Sequence, residues 1–108
     1  MLTKEELPEC PVATTVRLIG NKWKLLIIRN LIYEEKQRFS DFLKTIPAIS
    51  KKVLTDNLRA LESDGLINRE IFAEVPPRVE YSLTELGKTL NSVFNAMIDW
   101  GTYYKDNI

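Results

Sequence analysis

The side chains best placed to bind a charged partner lie in one short segment, Ser50 to Ser63. Leucines recur at helical spacing within it, so the opposite side of the predicted helix is left with polar and cationic groups. Such groups on an exposed helix can contact nucleic-acid base edges or hold phosphate oxygens, and an arginine can do either. The candidate contact residues of this segment are Ser50, Lys51, Lys52, Thr55, Asp56 and Arg59.

Three further cations stand at the ends of predicted elements. Lys22 and Lys24 flank the start of a predicted helix, where the backbone N–H groups also favour phosphate. Arg78 follows a proline-containing loop of a predicted hairpin, from which a cation can contact a DNA backbone or enter a minor groove. Each of these side chains, taken alone, is more often a solvated surface residue without a ligand.

Cys10 is the single cysteine, and it directly precedes Pro11 at the predicted start of the first helix. The dipole of that helix favours the thiolate, whereas the charge of Glu9 opposes it. The thiol is therefore either a small structural residue or a redox or electrophile sensor that joins two subunits. One cysteine forms no intramolecular disulfide, and without histidine there is no Cys/His zinc site, so we expect no metal and no cofactor.

The residue inventory does not favour catalysis. The sequence contains no histidine for general acid–base work, only four glycines and no glycine-rich phosphate loop. Its acidic residues are scattered, without a pair that one cleft would bring together. We therefore expect that the protein is not an enzyme, although a lysine or tyrosine base stays open on sequence alone.

Composition favours one folded domain with a basic middle. The 108 residues suffice for a single core, and 44% of them are hydrophobic. The formal net charge is zero, but residues 17–69 hold eleven Lys and Arg against six Asp and Glu, a local charge of +5 between acidic ends. The longest aliphatic run, Leu25 to Ile28, is too short to cross a membrane, and residues 1–9 lack a secretory signal, so we expect a cytoplasmic protein.

The apolar pattern predicts a series of short helices before the candidate segment. Residues 11–19 open with a proline and form the first, and the apolar run Trp23 to Tyr33 forms a second that is buried on most sides. A short strand is expected at Arg38-Phe39. Ser40 is the expected cap of a third helix, which ends before Pro47.

A turn at Ala48 and Ile49 then leads into the candidate segment. Ser50 caps the predicted helix, which continues to about Asp64 and ends at Gly65. Two short helices joined by a tight turn, the second with a basic outer face, form the helix-turn-helix arrangement. The buried stripe of the second helix consists of Leu54, Leu58 and Leu61.

Two predicted strands follow this helix-turn-helix. Leu66 to Glu74 and Arg78 to Leu83 are rich in strand-forming residues, and Val75-Pro76-Pro77 separates them. An antiparallel hairpin in this place forms a wing, which covers the core and also projects its tip. The predicted fold is mainly α with a small β-hairpin, a winged helix-turn-helix over residues 10–108 after an N-terminal arm, residues 1–9.

The C-terminal segment carries more apolar surface than one small core needs. We expect a helix that is capped by Thr84 and runs to about Lys105, with apolar residues spaced as in a coiled coil. A second copy of the chain is the economical partner for this dimerisation helix, and the alternative is a helix wrapped over its own domain. The predicted dimer contacts are Val12, Val16, Leu90, Phe94, Met97, Trp100 and Tyr104.

Several segments together resemble the HxlR family of winged helix transcriptional regulators. They are Cys10-Pro11, Gly20 to Trp23, Arg38-Phe39, Ile49 to Thr55, Leu58 to Ile67, Pro76 to Thr84 and Gly87. The resemblance implies homodimers on palindromic operator DNA, and in several members a cysteine at the Cys10 position senses oxidants, quinones or aldehydes. Two positions depart from the family pattern, since Asn57 stands where an arginine is frequent and Asn21 replaces the second of two glycines.

These observations predict a sequence-specific, homodimeric DNA-binding transcriptional regulator, with repression as the expected outcome and Cys10 as its candidate sensor. The alternative is a winged helix used only for protein–protein contact, which the basic outer face of the Ser50 helix opposes. The expected partners are double-stranded DNA and a second copy of the chain, without a membrane and with an inducer that the sequence does not identify.

Overall fold

The computed structural model of the protein describes residues 2–108, which form short helices and one hairpin. Met1, the first residue of the predicted arm, lies outside the described residues, and one turn of 3₁₀ helix spans Lys4–Glu6. No helix within residues 2–108 has the length and hydropathy that a membrane crossing requires. The elements are α1 (Pro11–Ile19), α2 (Lys22–Tyr33), α3 (Phe39–Thr45), α4 (Lys51–Ser63), β1 (Ile67–Phe72), β2 (Arg78–Leu83), α5 (Glu85–Lys88) and α6 (Asn91–Asp106).

The core lies where α2, α3 and α4 pack together beside the base of the hairpin. Ile27, Ile28 and Phe42 are completely buried there. The predicted stripe of α4 is confirmed, because Leu54, Leu58 and Leu61 are each at most 2% exposed. Burying a side chain of this size stabilises the fold by about 1.5–3 kcal/mol, so this stripe fixes which face of α4 is left for solvent.

The turn into α4 follows the predicted chemistry. Ala48 adopts a left-handed backbone conformation with φ of 61°, which makes the connection between α3 and α4 tight. The Ser50 hydroxyl then accepts a hydrogen bond from the N–H of Val53 at 3.1 Å, as expected of a helix cap. Gly65, with φ of 77°, ends the last turn of the helix.

The hairpin pairs β1 with β2 in antiparallel register, with Ile67 opposite Leu83. The predicted strand at Arg38-Phe39 does not form, because both residues belong to the start of α3. Gln37 alone pairs with the hairpin: its N–H donates to the carbonyl oxygen of Tyr81 at 2.9 Å, and the Tyr81 N–H donates back at 2.7 Å.

The start of α3 also differs from the prediction. The expected cap, Ser40, lies inside the helix, and Arg38 occupies the cap position. The Asp41 carboxylate accepts the Arg38 N–H at 2.8 Å. A carboxylate at the third helical residue can reach back to an N–H that has no partner within the helix, so it takes the place of a serine cap.

The prediction of one continuous C-terminal helix is wrong, because a turn at Thr89 and Leu90 separates α5 from α6. Gly87 of α5 lies against the Leu66 carbonyl so closely that a Cβ atom would come within 2.1 Å of that oxygen. The Thr84 hydroxyl donates to the Gly65 carbonyl at 2.7 Å and accepts from the Gly87 N–H at 2.9 Å. These contacts fix α5 to the base of the hairpin, and α6 starts after Leu90.

The molecule is more extended than a compact chain of its length. Its radius of gyration is 15.1 Å, with principal extents of 51 × 38 × 24 Å, whereas a compact domain of this size has a radius of gyration of about 13 Å. Most of α6 is exposed along its length. The C-terminal helix therefore offers an apolar surface that its own domain leaves largely uncovered.

Candidate nucleic-acid interface

The outer face of α4 is cationic and open to solvent. Lys51, Lys52 and Arg59 are exposed, and Thr55 lies half-buried among them. The Lys52 ammonium and the Asp56 carboxylate form an ion pair one helical turn apart, at 2.7 Å. Among residues 2–108, the side chains of Lys51 and Arg59 have no ion-pair partner. Two of the predicted contact cations are therefore free to bind an external anion.

The start of α2 lies beside α4. Asn21 caps α2, because its side-chain oxygen accepts the N–H of Lys24 at 2.8 Å, and its side-chain nitrogen donates to the Asn57 oxygen at 3.2 Å. The structure therefore brings the backbone of Lys24 close to α4. Lys22 has a different setting, since its ammonium lies 4.5 Å from the centroid of the Trp23 ring, and the residue lines a groove between α2 and α6.

The wing holds its cation by contacts within the hairpin. The Arg78 guanidinium carbon lies 4.0 Å from the centroid of the Phe72 ring. Its Nη2 is 3.3 Å from a Glu74 carboxylate oxygen, and its Nε is 3.6 Å from a Glu80 carboxylate oxygen. A guanidinium stacked on a ring and flanked by two carboxylates is already partnered, and this geometry opposes the DNA contact expected of Arg78.

A shallow cleft separates α4 from the base of the wing. The Glu62 carboxylate of α4 accepts a hydrogen bond from the Arg69 guanidinium of β1 at 3.0 Å, and this bond raises the pKa of Arg69. Burial raises the pKa of the Tyr81 phenol, which lines the same cleft. Thr55 and Arg59 also line it, so the wing is tied to α4 by a polar contact at its base.

One buried polar network was not predicted. Asn30 is only 6% exposed, and its side-chain nitrogen donates to Gln37 at 3.1 Å and to the Thr45 hydroxyl at 2.7 Å. Its side-chain oxygen accepts from the Arg29 guanidinium at 3.1 Å. An asparagine among the aliphatic residues of α2 is the sequence signal for such a site, because a buried amide needs partners.

Cys10 lies where the sequence predicted it, at the N-cap position of α1. Its carbonyl oxygen accepts the N–H of Thr14 at 2.9 Å, and its thiol is exposed and free. Nothing within residues 2–108 covers the sulfur from solvent. The thiol is therefore accessible to oxidants and electrophiles in a single copy of the chain.

The predicted dimer contacts divide into two groups. Phe94 is only 7% exposed and belongs to the core of its own chain, and the half-buried Leu90 packs against the same core. These two side chains hold α6 to its own domain, and the burial of Phe94 leaves little of its surface for the contact with a partner that the sequence predicted. The remaining contacts are exposed: Val12, Val16, Met97, Trp100 and Tyr104.

The exposed side of α6 is aromatic and borders an apolar groove. The rings of Trp100 and Tyr104 stack with their centroids 5.4 Å apart. The groove has a volume of about 460 Å³ and runs between α2 and α6, with Met97 and Ile98 among its lining residues. A contiguous apolar surface of this kind on a small domain is typical of a contact with another macromolecule.

Comparison with known proteins identifies relatives along almost the whole chain. The model of the HxlR-like helix-turn-helix family matches residues 18–108. The HTH-type transcriptional regulator YdeP of Bacillus subtilis is 49% identical over 106 residues, which cover 98% of this chain and 82% of YdeP. An HTH-type transcriptional regulator of Methanothermobacter thermautotrophicus is 50% identical over 95 residues, 88% of this chain and 72% of that protein.

Solved structures agree with the fold. The redox regulator HypR in its oxidised form superposes with a TM-score of 0.81 at 45% identity, covering 87% of this chain and 96% of HypR. Its reduced form gives a TM-score of 0.85 at 43% identity, covering 90% and 95% of the two chains. The predicted winged helix-turn-helix fold is confirmed.

Proposed function

The chain belongs to the HxlR-like helix-turn-helix family of transcriptional regulators, and from this premise we propose that it represses transcription as a homodimer bound to a palindromic operator. Regulators of this family bind DNA and are not enzymes, and the same holds for this protein. The observation that carries the proposal is the outer face of α4, where Lys51 and Arg59 are exposed cations without an ion-pair partner in the described part of the chain, residues 2–108. The regulator would be cytoplasmic, because the DNA that it binds would be in the cytoplasm.

In this proposal α4 is the recognition helix and enters the major groove by its N-terminal end. Lys51 and Lys52 lie at that end, with Ser50 as the cap, and Arg59 lies two turns further along the helix. Arg59 can bind a guanine through two hydrogen bonds or hold a phosphate. Lys24, at the start of α2, is the proposed phosphate contact beside the groove.

The apolar side of α6 supports the homodimer. Trp100 is 66% exposed and stacks on Tyr104, and Val12 and Val16 of α1 are exposed as well. Burying such residues against a second copy would stabilise the dimer by about 25 cal/mol for each Å² of apolar surface removed from water. Two recognition helices related by a two-fold axis would then lie about 34 Å apart, one turn of DNA.

Fluorescence anisotropy with labelled fragments of the promoter of the protein's own gene tests the DNA-binding part of this proposal. We expect one fragment to bind more tightly than a scrambled duplex of the same length, with an affinity that falls as salt is raised. If the protein binds none of the fragments even at low salt, the proposal is wrong, and the alternative of a winged helix for protein–protein contact is favoured.

The dimer is tested by sedimentation of Trp100→Glu, since a carboxylate at the centre of the exposed aromatic pair cannot be buried cheaply. We expect monomers. Ile71→Glu is the matched control, because Ile71 is a similarly exposed apolar residue, at 60%, but lies on the wing. A dimer that persists in Trp100→Glu contradicts the proposed interface.

Cys10 is the proposed sensor, because its thiol is exposed at a helix N-cap and the similar protein HypR is a redox regulator solved in oxidised and reduced forms. Two Cys10 thiols from two copies would lose two electrons and two protons to an oxidant such as diamide and form one disulfide. We expect diamide to change the DNA affinity of the unmodified protein. An equal change in Cys10→Ser would exclude Cys10 as the sensor.

A further inference from the structure

Two asparagines connect the N-cap position of α2 with the middle of α4. The Asn21 Oδ1 accepts the N–H of Lys24 at 2.8 Å, and the Asn21 Nδ2 donates to the Asn57 Oδ1 at 3.2 Å. The Asn57 Nδ2 in turn donates to the carbonyl oxygen of Val53 at 2.8 Å. Three hydrogen bonds in series thus join the N-terminus of α2 to the middle of α4, through two asparagines that are 36 residues apart in sequence.

The amide of Asn57 is not arranged to read a base. An asparagine recognises adenine by accepting a hydrogen bond at its oxygen and donating one from its nitrogen. In Asn57 the oxygen already accepts from Asn21, and the nitrogen already donates to Val53. The oxygen keeps a second lone pair and the nitrogen a second N–H, but the two existing bonds fix the plane of the amide, so it turns toward a base edge only by breaking one of them. Asn57 is also half-buried, beside α2 rather than among the exposed cations of α4.

The two helices also meet through the apolar core, to which Leu54, Leu58 and Ile27 belong. Apolar contacts hold surfaces together without fixing a direction, whereas a hydrogen bond loses strength when its angle or distance changes. The Asn21–Asn57 bond therefore adds a directional constraint between α4 and α2.

We propose that Asn57 is a positioning residue for DNA recognition, which together with Asn21 holds the start of α2 and the recognition helix at a fixed angle. Lys24 can then reach a phosphate in the same docked arrangement in which Lys51 and Arg59 reach the groove. This inference rests on the proposed DNA-binding function. It assigns no base contact to Asn57, so the residue contributes to affinity without selecting one base pair.

A double-mutant cycle tests the assignment, with Asn21→Ala, Asn57→Ala and the double variant measured against the operator and against a scrambled duplex. We expect each single variant to lose operator affinity by roughly fivefold to tenfold, and to keep its affinity for the scrambled duplex. The double variant should lose less than the sum of the two single losses, because both substitutions remove the Asn21–Asn57 bond while each also removes one bond of its own.

Thr55→Ala with Asn21→Ala provides the control cycle, since Thr55 lies on the outer part of α4 and makes no hydrogen bond to Asn21. This pair should be additive. Thermal melting checks that the variants fold. If Asn57→Ala unfolds, Asn21→Ala is used in its place, because Asn21 is exposed and its substitution also removes the Asn21–Asn57 bond. This variant should lower the ratio of the affinity for the operator to the affinity for the scrambled duplex.

Additive losses in the Asn21–Asn57 cycle would overturn the inference and leave the proposed function in place. A change of preference at a single operator base pair in Asn57→Ala would also overturn it, because it would make Asn57 a direct reader. If the unmodified protein bound no DNA at all, the inference and the proposed function would both fail.

Discussion

The proposed recognition helix α4 and the wing each carry an arginine at a place where winged proteins meet DNA, yet the two side chains are in opposite states. Arg59 on α4 is exposed and has no ion-pair partner among residues 2–108. Arg78 on the wing is stacked on Phe72 and lies within 3.6 Å of the nearest Glu80 carboxylate oxygen. Whether a cation can bind phosphate therefore depends on the side chains around it and not on the helix or strand that carries it.

The cause of this difference lies in the register of the hairpin. Glu70 and Glu80 stand directly opposite each other in the two strands, and like charges at such positions destabilise a sheet. Arg78, in the last residue pair of the hairpin, lies beside Glu80 and offsets this repulsion with its positive charge. On α4 the only intrahelical pair, Lys52 with Asp56, is exposed, and pairs of this kind contribute little stability, so DNA phosphates can replace it at low cost.

The largest difference between the two regions should appear in stability. Leu58→Ala removes a side chain that is 2% exposed beneath the outer face of α4, and we expect the free energy of unfolding to fall by about 2–5 kcal/mol. Ile71→Ala on the wing, where Ile71 is 60% exposed, should change it by less than about 0.5 kcal/mol. Urea denaturation measures both, and equal losses would show that the wing is as much part of the core as α4.

The next largest difference should appear in DNA affinity. Arg59→Ala should weaken binding to the operator by about 1–3 kcal/mol, whether the contact is a guanine or a phosphate. Arg78→Ala should leave operator affinity within about threefold, because its guanidinium is already partnered, and should instead lower stability by about 1 kcal/mol or less. Anisotropy titrations at several salt concentrations measure both variants. A steep loss of affinity in Arg78→Ala would place the wing in contact with DNA.

Local patterns in the sequence predicted one side of this comparison well. The cap Ser50 and the spacing of Leu54, Leu58 and Leu61 depend only on residues a few positions apart, and the structure has both as predicted. The exposed face of α4 follows from that spacing. The state of Arg78 depends on strand register and on carboxylates of two strands, which no local pattern contains.

The other differences between prediction and structure also come from contacts between distant segments. The break after α5 depends on Gly87 reaching the Leu66 carbonyl, and the burial of Phe94 depends on how α6 crosses the core after that break. Asn57 was recognised in the sequence only as an unusual residue. Its partner, Asn21, became evident once the fold brought the two side chains within 3.2 Å.

A smaller effect should follow from releasing Lys52 on α4. Asp56→Asn removes the carboxylate of the Lys52 pair and one negative charge from the face proposed to meet DNA. We expect the affinity for a scrambled duplex to rise. The slope of log affinity against log salt concentration should steepen by up to about the value of one phosphate contact. Helix stability should fall by only about 0.3–0.5 kcal/mol.

Glu85→Gln is the control for this substitution, because it breaks the similar pair between Lys88 and Glu85, at 3.1 Å, on α5. It should leave the affinity for the scrambled duplex unchanged. If both variants raise that affinity equally, the effect belongs to the net charge of the protein, and α4 has no special position in the comparison.

The smallest effect concerns Tyr81, which lies at the base of the wing. Its ring packs edge-on against the ring of Phe42 of α3, with the two centroids 6.0 Å apart. Burial raises the pKa of its phenol above the ordinary value near 10. Below that ordinary value the phenol is neutral in the folded and the unfolded protein. Above it the unfolded chain ionises first, so the stability that Tyr81 contributes is lost as the pH rises through the folded pKa.

Tyr81→Phe should therefore lose less stability than the unmodified protein when urea denaturation at about pH 8 is compared with about pH 11. Tyr33→Phe, at a tyrosine that is 65% exposed, is the control for the loss of a phenol hydroxyl as such. The same alkaline loss in the unmodified protein and in Tyr81→Phe would mean that the base of the wing is open to water. The wing would then be loosely held at its base as well as exposed at its tip. Of these contacts, the Glu62–Arg69 hydrogen bond alone would hold the wing against α4.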